Sequence, residues 1–330
     1  MDAGDGRLLL AWSRFTPRRK TGSKTDHVLE SDNDSSDIPA CWSDDGGETW
    51  GNEGVLVENT AGLNVMSPAL VPFADGSLGL IYSHREAPDR AWRVFRRSTD
   101  HGRTWGEPVR LTDEGYVTGT HDRLTVLSTG RILAPLHFME SWYEGTRKSM
   151  VAYSDDLGLS WSFSHPVEVP AVPAATESGG WEPGTVELPD GRVLLVLRTA
   201  MGTLFSAISQ DGGESFAAPR SMEVVSPIAP GRAERIPDTK DLLLIWNWHY
   251  DANEPMFGMR RRFSVAVSHD GGRSWPLGER RVIEDDEETT YSYPSCLIVE
   301  NKALVTYYAA PADAPFGARS LKLATIELLP

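Results

Sequence analysis

Short apolar runs closed by polar turns follow one another along this chain, and their order repeats. Pro68-Ala69-Leu70-Val71-Pro72 leads to Asp75-Gly76, then to Leu78-Gly79-Leu80-Ile81-Tyr82 and Val94-Phe95-Arg96-Arg97. Farther on, Thr185-Val186-Glu187-Leu188 precedes Asp190-Gly191, followed by Val193-Leu194-Leu195-Val196-Leu197 and Phe205-Ser206-Ala207-Ile208. Runs of this length joined by Asp-Gly turns predict antiparallel hairpins, and the continuous apolar runs predict strands buried on both faces. Each unit then reads as a four-stranded meander, the blade of a propeller.

After each third run comes one pattern, Ser-x-Asp-x-Gly-x-(Thr/Ser)-(Trp/Phe), at Ser43–Trp50, Ser98–Trp105, Ser154–Trp161, Ser209–Phe216 and Ser268–Trp275. Its aspartates, Asp45, Asp100, Asp156, Asp211 and Asp270, are spaced 55, 56, 55 and 59 residues apart. A period of this size signals a propeller or another repeat array. The Asp can accept hydrogen bonds from its own turn, the Gly supplies a positive φ, and the Trp plugs the hairpin onto the blade. Five equivalent aspartates read as structural. Tyr293–Leu297, Leu304–Tyr308 and Leu321–Glu327 predict three strands of a sixth unit without the pattern, and Asp5-Gly6-Arg7-Leu8-Leu9-Leu10 predicts the first turn and second strand of unit one. The expectation is an all-β, six-bladed β-propeller over residues 1–330 as one domain. Blade one would lack its innermost strand and blade six its outermost, as in an N-terminally shortened propeller. If blade one fills that place with its own residues, Arg14 gains weight as a binding residue.

Composition narrows the function. Gly 30, Pro 22 and Trp 11 suit many turns and short strands. A net charge of -15 argues against nucleic acid, although clustered arginines can still make one pocket positive. Cys41 and Cys296 sit in apolar strand patterns at opposite ends of the sequence and read as buried thiols, not a disulfide framework. No apolar run is long enough to span a membrane, and no signal peptide is visible, which leaves a cytoplasmic location as the default expectation. The eight histidines show no metal-ligand spacing and there is no nucleotide-binding glycine pattern, so neither metal nor cofactor is expected.

Asp boxes on a six-bladed plan resemble the sialidase (neuraminidase) superfamily. Asn64-Val65-Met66-Ser67-Pro68, Gly130-Arg131-Ile132-Leu133-Ala134-Pro135 and the stretch from Trp181-Glu182-Pro183-Gly184 to Asp190-Gly191-Arg192 look like its bacterial BNR-repeat branch. The resemblance covers essentially the whole chain. It implies an exo-α-sialidase-like glycoside hydrolase that releases a terminal sialic acid or related acidic sugar from glycans with retention. It also implies a kit of arginines for the substrate carboxylate, a Tyr nucleophile, a Glu that activates it, and an Asp acid/base.

Glu182 and Arg198 match that kit in spacing. They stand at the start and end of two antiparallel strands, so they meet at one mouth; an ordinary cross-strand ion pair is the alternative. Tyr293 is the implied nucleophile and Tyr291 its competitor. One of Arg260, Arg261 and Arg262 is a further carboxylate-binding arginine, with a solvated basic cluster as the alternative. The chain departs from the kit in two places. The first clamp arginine belongs on the innermost strand of blade one, and Ser67 stands where the acid/base Asp is expected. His121-Asp122-Arg123 offers Asp122 as a substitute acid and Arg123 as a substitute clamp, and His84-Arg85-Glu86 is a second charged cluster. These departures keep two other readings open: a propeller glycosidase for another sugar, and a non-catalytic carbohydrate-binding propeller.

Overall fold

The computed structural model describes residues 1–16, 32–113, 115–139, 146–172, 178–254, 257–313 and 319–328. Among them the chain forms no α-helix, and none long and apolar enough to cross a membrane. Its strands fall into six successive antiparallel meanders. The first contains β1 (Leu8–Ala11), β2 (Arg14–Thr16), β3 (Ser35–Ser43) and β4 (Gly51–Val57), with β1 and β2 both paired to β3. The second runs β5 (Asn64–Pro72), β6 (Leu78–Ala87), β7 (Arg90–Ser98), β8 (Val109–Arg110). In the third, β9 (Tyr116–Thr118) and β10 (Thr125–Val126) pair with β11 (Ile132–Met139), followed by β12 (Lys148–Ser154) and β13 (Ser162–Phe163). The fourth is β14 (Trp181–Glu187), β15 (Val193–Arg198), β16 (Thr203–Ser209), β17 (Arg220–Val225). The fifth is β18 (Arg232–Arg235), β19 (Leu242–Asn247), β20 (Phe263–Ser268), β21 (Arg280–Glu284), and the sixth β22 (Thr289–Val299), β23 (Lys302–Pro311), β24 (Ser320–Glu327). A single parallel contact, Ala91 with Tyr116, links the second and third meanders into one sheet.

Sequence pattern follows depth. β15 and β19, second strands with unbroken apolar runs, are buried at every residue because a neighbouring meander covers each face. β17, farther out, alternates Met222 and Val224 inward with exposed residues between. Each apolar cluster joins two neighbouring meanders. Ile38, Val65 and Leu80 pack between the first and second; Phe95, Ile132 and Ala152 between the second and third. Leu133, Val151 and Leu195 continue the series, as do Leu194, Leu244 and Trp275, then Leu243, Phe263 and Tyr307.

The five Ser-x-Asp turns share one hydrogen-bond scheme. In the first, Ser43 donates to Asp45 at 2.7 Å, Thr49 N–H donates to Asp45 at 2.9 Å, and Gly47 N–H donates to Ser43 Oγ at 2.8 Å. The Thr49 hydroxyl and amide, then Ser43, hold the Asp45 carboxyl down at about 2. The left-handed glycine of each turn abuts the preceding meander. A methyl group on Gly158 would lie 2.1 Å from the Phe95 ring, and one on Gly47 would lie 2.9 Å from Leu304 of the sixth meander. Ser13 N–H donates to Tyr308 Oη at 3.1 Å, so the first and sixth meanders touch in two places.

The inner edge of β1 differs from the expectation of an empty place. Met1–Ala3 lies along it through the turn at Gly4–Gly6, with Leu9 N–H donating to Met1 O at 2.9 Å and Ala3 N–H to Arg7 O at 2.9 Å. The sixth meander has the three strands expected. Cys41 and Cys296 are buried and unbridged.

Candidate active site

Three inner-strand residues share an uncommon backbone. Ser67, Glu182 and Tyr293 have φ of 57°, 45° and 57°, and each is followed by proline (Pro68, Pro183, Pro294). At each, the ladder to the next strand slips: between Met66 and Ala69, Trp181 and Gly184, and Ser292 and Ser295. A bulge inserts a residue and re-aims its side chain, and proline fits there because it has no N–H to leave unpaired. Left-handed backbone on non-glycine residues costs roughly 1–3 kcal/mol each, a strain that clusters at functional sites. All three residues line one cavity of about 270 Å³.

Inside it, the Tyr293 hydroxyl donates to Glu182 Oε1 at 3.1 Å, and the Arg198 guanidinium donates to Glu182 Oε2. Trp181 stacks under Arg198, 3.8 Å from ring centre to guanidinium carbon. Arg260 lies 5.2 Å from the centre of the Tyr293 ring, its Nε donating to Ile228 O at 3.3 Å. Burial pushes the Glu182 carboxyl up, but the charges of Arg198 and Arg260 outweigh it and hold the group at about 2. Burial, with the Glu182 charge adding to it, pushes the Tyr293 phenol up to about 12. His121 and His137 line the same cavity, and burial holds both at about 3, hence neutral.

The structure thus brings together Glu182, Tyr293, Arg198 and Arg260. It separates Arg260 from its neighbours: Arg261 pairs with Glu254 at 3.2 Å and Arg262 with Asp285 at 3.4 Å. Tyr291 is core, packed against Phe263 and Tyr307. Asp122 and Arg123 are not brought to this cavity. Asp122 faces a second cavity, of about 430 Å³, where its carboxylate accepts from Cys296 N–H at 3.1 Å and lies 3.7 Å from Arg232. Arg123 is buried, and its two terminal nitrogens donate to the carbonyls of His121, Asp122, Pro294 and Gly231, all within 3.1 Å, so they are engaged by backbone. Arg14 stands at the rim, engaged by Asp37 at 2.6 Å and Glu53 at 3.1 Å.

Asp32 is the residue that sequence reasoning passed over. Among the described residues, it and Glu182 are the carboxylates lining the cavity. It sits in the turn before β3, a middle strand, whereas the acid positions implied by the resemblance, Ser67 and Asp122, lie at inner strands. The acidic run Asp32-Asn33-Asp34 was the available signal.

An all-β protein of repeated meanders, with a Tyr–Glu–Arg cluster from its fourth and sixth meanders lining one cavity, has a recognisable class. A family model described as a BNR repeat-like domain matches residues 30–306, and the chain belongs to that family, within the sialidase-like BNR-repeat superfamily. It is 24% identical to a sialidase of Bacteroides fragilis (strain YCH46), in an alignment covering 87% of this chain and 56% of that protein. The chain therefore spans about half of that relative's length. In fold it is similar to a protein of unknown function from Dyadobacter fermentans DSM 18053, with a TM-score of 0.76, 23% identity and coverage of 98% of this chain and 92% of that one. The NanB sialidase from Streptococcus pneumoniae shares the fold at a TM-score of 0.73 and 12% identity, over 98% of this chain and 67% of that one.

Proposed function

We propose that the six meanders are the blades of one propeller, with the five Ser-x-Asp turns as its structural Asp boxes. On this reading the smaller cavity hydrolyses the glycosidic bond of a terminal sialic acid or a related acidic sugar, with retention. The observation that carries this is the Tyr293 hydroxyl donating to a Glu182 carboxylate that Arg198 also holds. Arg198 and Arg260 receive the sugar carboxylate, since guanidinium forks match it. A neutral phenol suits an anomeric carbon that already bears a carboxylate, where an anionic nucleophile would be repelled.

In the first step Tyr293 Oη bonds to the anomeric carbon, its proton passes to Glu182, and the bond to the leaving oxygen breaks. Asp32, in its protonated form, gives that oxygen its proton. Water then attacks the glycosyl–tyrosine, yielding its proton to Asp32, while the C–Oη bond breaks and Glu182 returns the proton to Tyr293. A carboxyl held at about 2 is a weak base for a phenol held at about 12, so the proton stays on Tyr293 until the new bond forms. A bound substrate carboxylate shares the positive charge of Arg198 and Arg260 and so raises the basicity of Glu182. The test is hydrolysis of 4-nitrophenyl α-sialoside with NMR of the first-formed anomer. Turnover with retention, lost in Tyr293→Phe, supports the reading. Binding of acidic glycans with no turnover would make the protein a lectin-like propeller instead.

A further inference from the structure

We propose that Asn64 and Arg85 are positioning residues that set how far the Asp32 carboxyl reaches into the cavity. This rests on the reading of Asp32 as proton donor. The two residues are direct partners across the β5–β6 ladder, at 0% and 2% exposure. Asn64 Nδ2 donates to Asp32 O at 2.7 Å and to Asp34 O at 2.8 Å. The Arg85 guanidinium donates to the same Asp32 carbonyl and, at 3.0 Å, to Asn33 Oδ1. It also lies 5.8 Å from the ring centre of Tyr116, which lines the cavity. Neither Asn64 nor Arg85 lines the cavity itself.

Burying a guanidinium and an amide is costly unless their hydrogen bonds are made. Here those bonds go to one turn of another meander, and both side chains converge on one carbonyl, that of Asp32. Simple stitching of the two meanders does not need a buried charge. Ser36 Oγ to Val65 O at 2.5 Å and Asn59 Nδ2 to Ser35 Oγ at 3.0 Å already provide it with neutral groups. Fixing the carbonyl fixes the Cα of Asp32, and the placement of a proton donor at the leaving oxygen decides its efficiency.

The experiment compares wild type, Arg85→Lys, Asp32→Asn and the double variant on two substrates. Sialyl-lactose has a poor leaving group that needs a proton; 4-nitrophenyl α-sialoside has one that leaves without it. Arg85→Lys is expected to lower kcat/KM on sialyl-lactose by about 10²-fold. On the nitrophenyl substrate kcat/KM, which ends at departure of the leaving group and so excludes the water step, should change by less than about threefold. In the Asp32→Asn background Arg85→Lys should have no further effect, because it acts through Asp32. Equal losses of kcat/KM on both substrates, or additive losses in the double variant, would overturn the proposal and leave Arg85 a structural residue. Should Arg85→Lys not fold, Asn64→Ser makes the same comparison, since it frees the same carbonyl. If Asp32→Asn keeps full turnover of sialyl-lactose, the acid assignment fails and the positioning role with it. If wild-type protein hydrolyses neither substrate, the glycosidase reading itself has failed, and that is seen before any variant is made.

Discussion

Glu182 has two partners, and the proposed mechanism sets them opposed demands: Arg198 keeps it ionised, and Tyr293 needs it to take a proton. Glu182→Gln is expected to lower kcat by at least about 10²-fold, the usual scale for a lost general base. It should leave the circular dichroism spectrum unchanged and reduce the melting temperature, because Arg198 stays buried without its anion. Wild-type turnover in this variant would reduce Glu182 to an ion-pair residue. The histidines add a pH dependence with a definite sign. Burial holds His121 and His137 at about 3 in the folded protein, so between pH 6.5 and 3 the unfolded chain binds protons that the native state refuses. Stability therefore falls on acidification through that window, by up to about 1.4 kcal/mol per pH unit for each histidine. Glu182, lowered from 4.5 to about 2, adds its own loss only below about pH 4.5. Urea unfolding at pH 7, 6 and 5 should show the slope, and His137→Gln should reduce it; identical slopes in the two proteins would refute the assignment. At this scale the sequence was partly legible. That Glu182 and Arg198 meet followed from hairpin geometry. The choice of Tyr293 over Tyr291 did not, because residues two apart on a regular strand share a face, and only the bulge at Ser292–Ser295 turns one outward from the core. Asp32 was hidden for a different reason: its place is set by side chains 32 and 53 residues away in sequence.

At the scale of the element, the Ser-x-Asp turns were the most legible feature, because the bonds that hold each aspartate are local. Asp156 accepts from Ser154, Ser160 Oγ and Ser160 N–H, all within 2.9 Å, and none of these partners lies in the cavity. Asp156→Ala is expected to cost about 1 kcal/mol, since the freed groups of exposed Ser160 reach water. It should leave kcat untouched. Gly158→Ala should be worse. Its φ of 85° disfavours any side chain, and the methyl group meets Phe95, so strain and overpacking together cost about 2–4 kcal/mol. Thermal unfolding of the two variants side by side tests the order; equal melting temperatures would mean that the turn does not dock its meander onto the one before. The outer strands were less readable. β8 and β13 are two residues long, and the third meander's inner edge is split into β9 and β10, too short for an alternating pattern to register.

At the scale of the whole molecule, the site draws on all six meanders. Ser13 and Asp32 come from the first meander, Ser67 from the second and His121 from the third. Glu182 and Arg198 come from the fourth, Arg260 from the fifth, and Tyr293 and Tyr308 from the sixth. The seam between first and sixth runs through one small group. Ser13 N–H donates to Tyr308 Oη at 3.1 Å, Ser13 Oγ bonds His121 Nε2 at 3.0 Å, and Ser67 N–H donates to Ser13 Oγ at 2.9 Å. His121 and Tyr308 in turn pack on the Tyr293 ring, at 5.2 and 6.4 Å between centres. The repeat period made the succession of meanders legible, but the identity of the seam residues depends on contacts between the two ends of the chain. Tyr308→Phe removes the acceptor of a buried N–H, at a cost of about 1–3 kcal/mol. Because Ser13 also orders Ser67 and His121, the loss should not stay local. Activity and near-ultraviolet circular dichroism are expected to disappear in one coincident urea transition in the wild type. In Tyr308→Phe both should move together to lower urea, with kcat at zero urea also reduced. If activity vanished at a urea concentration where the tertiary signal was still intact, the first and sixth meanders would be parting before the rest unfolds, and the seam would not be a cooperative part of the fold.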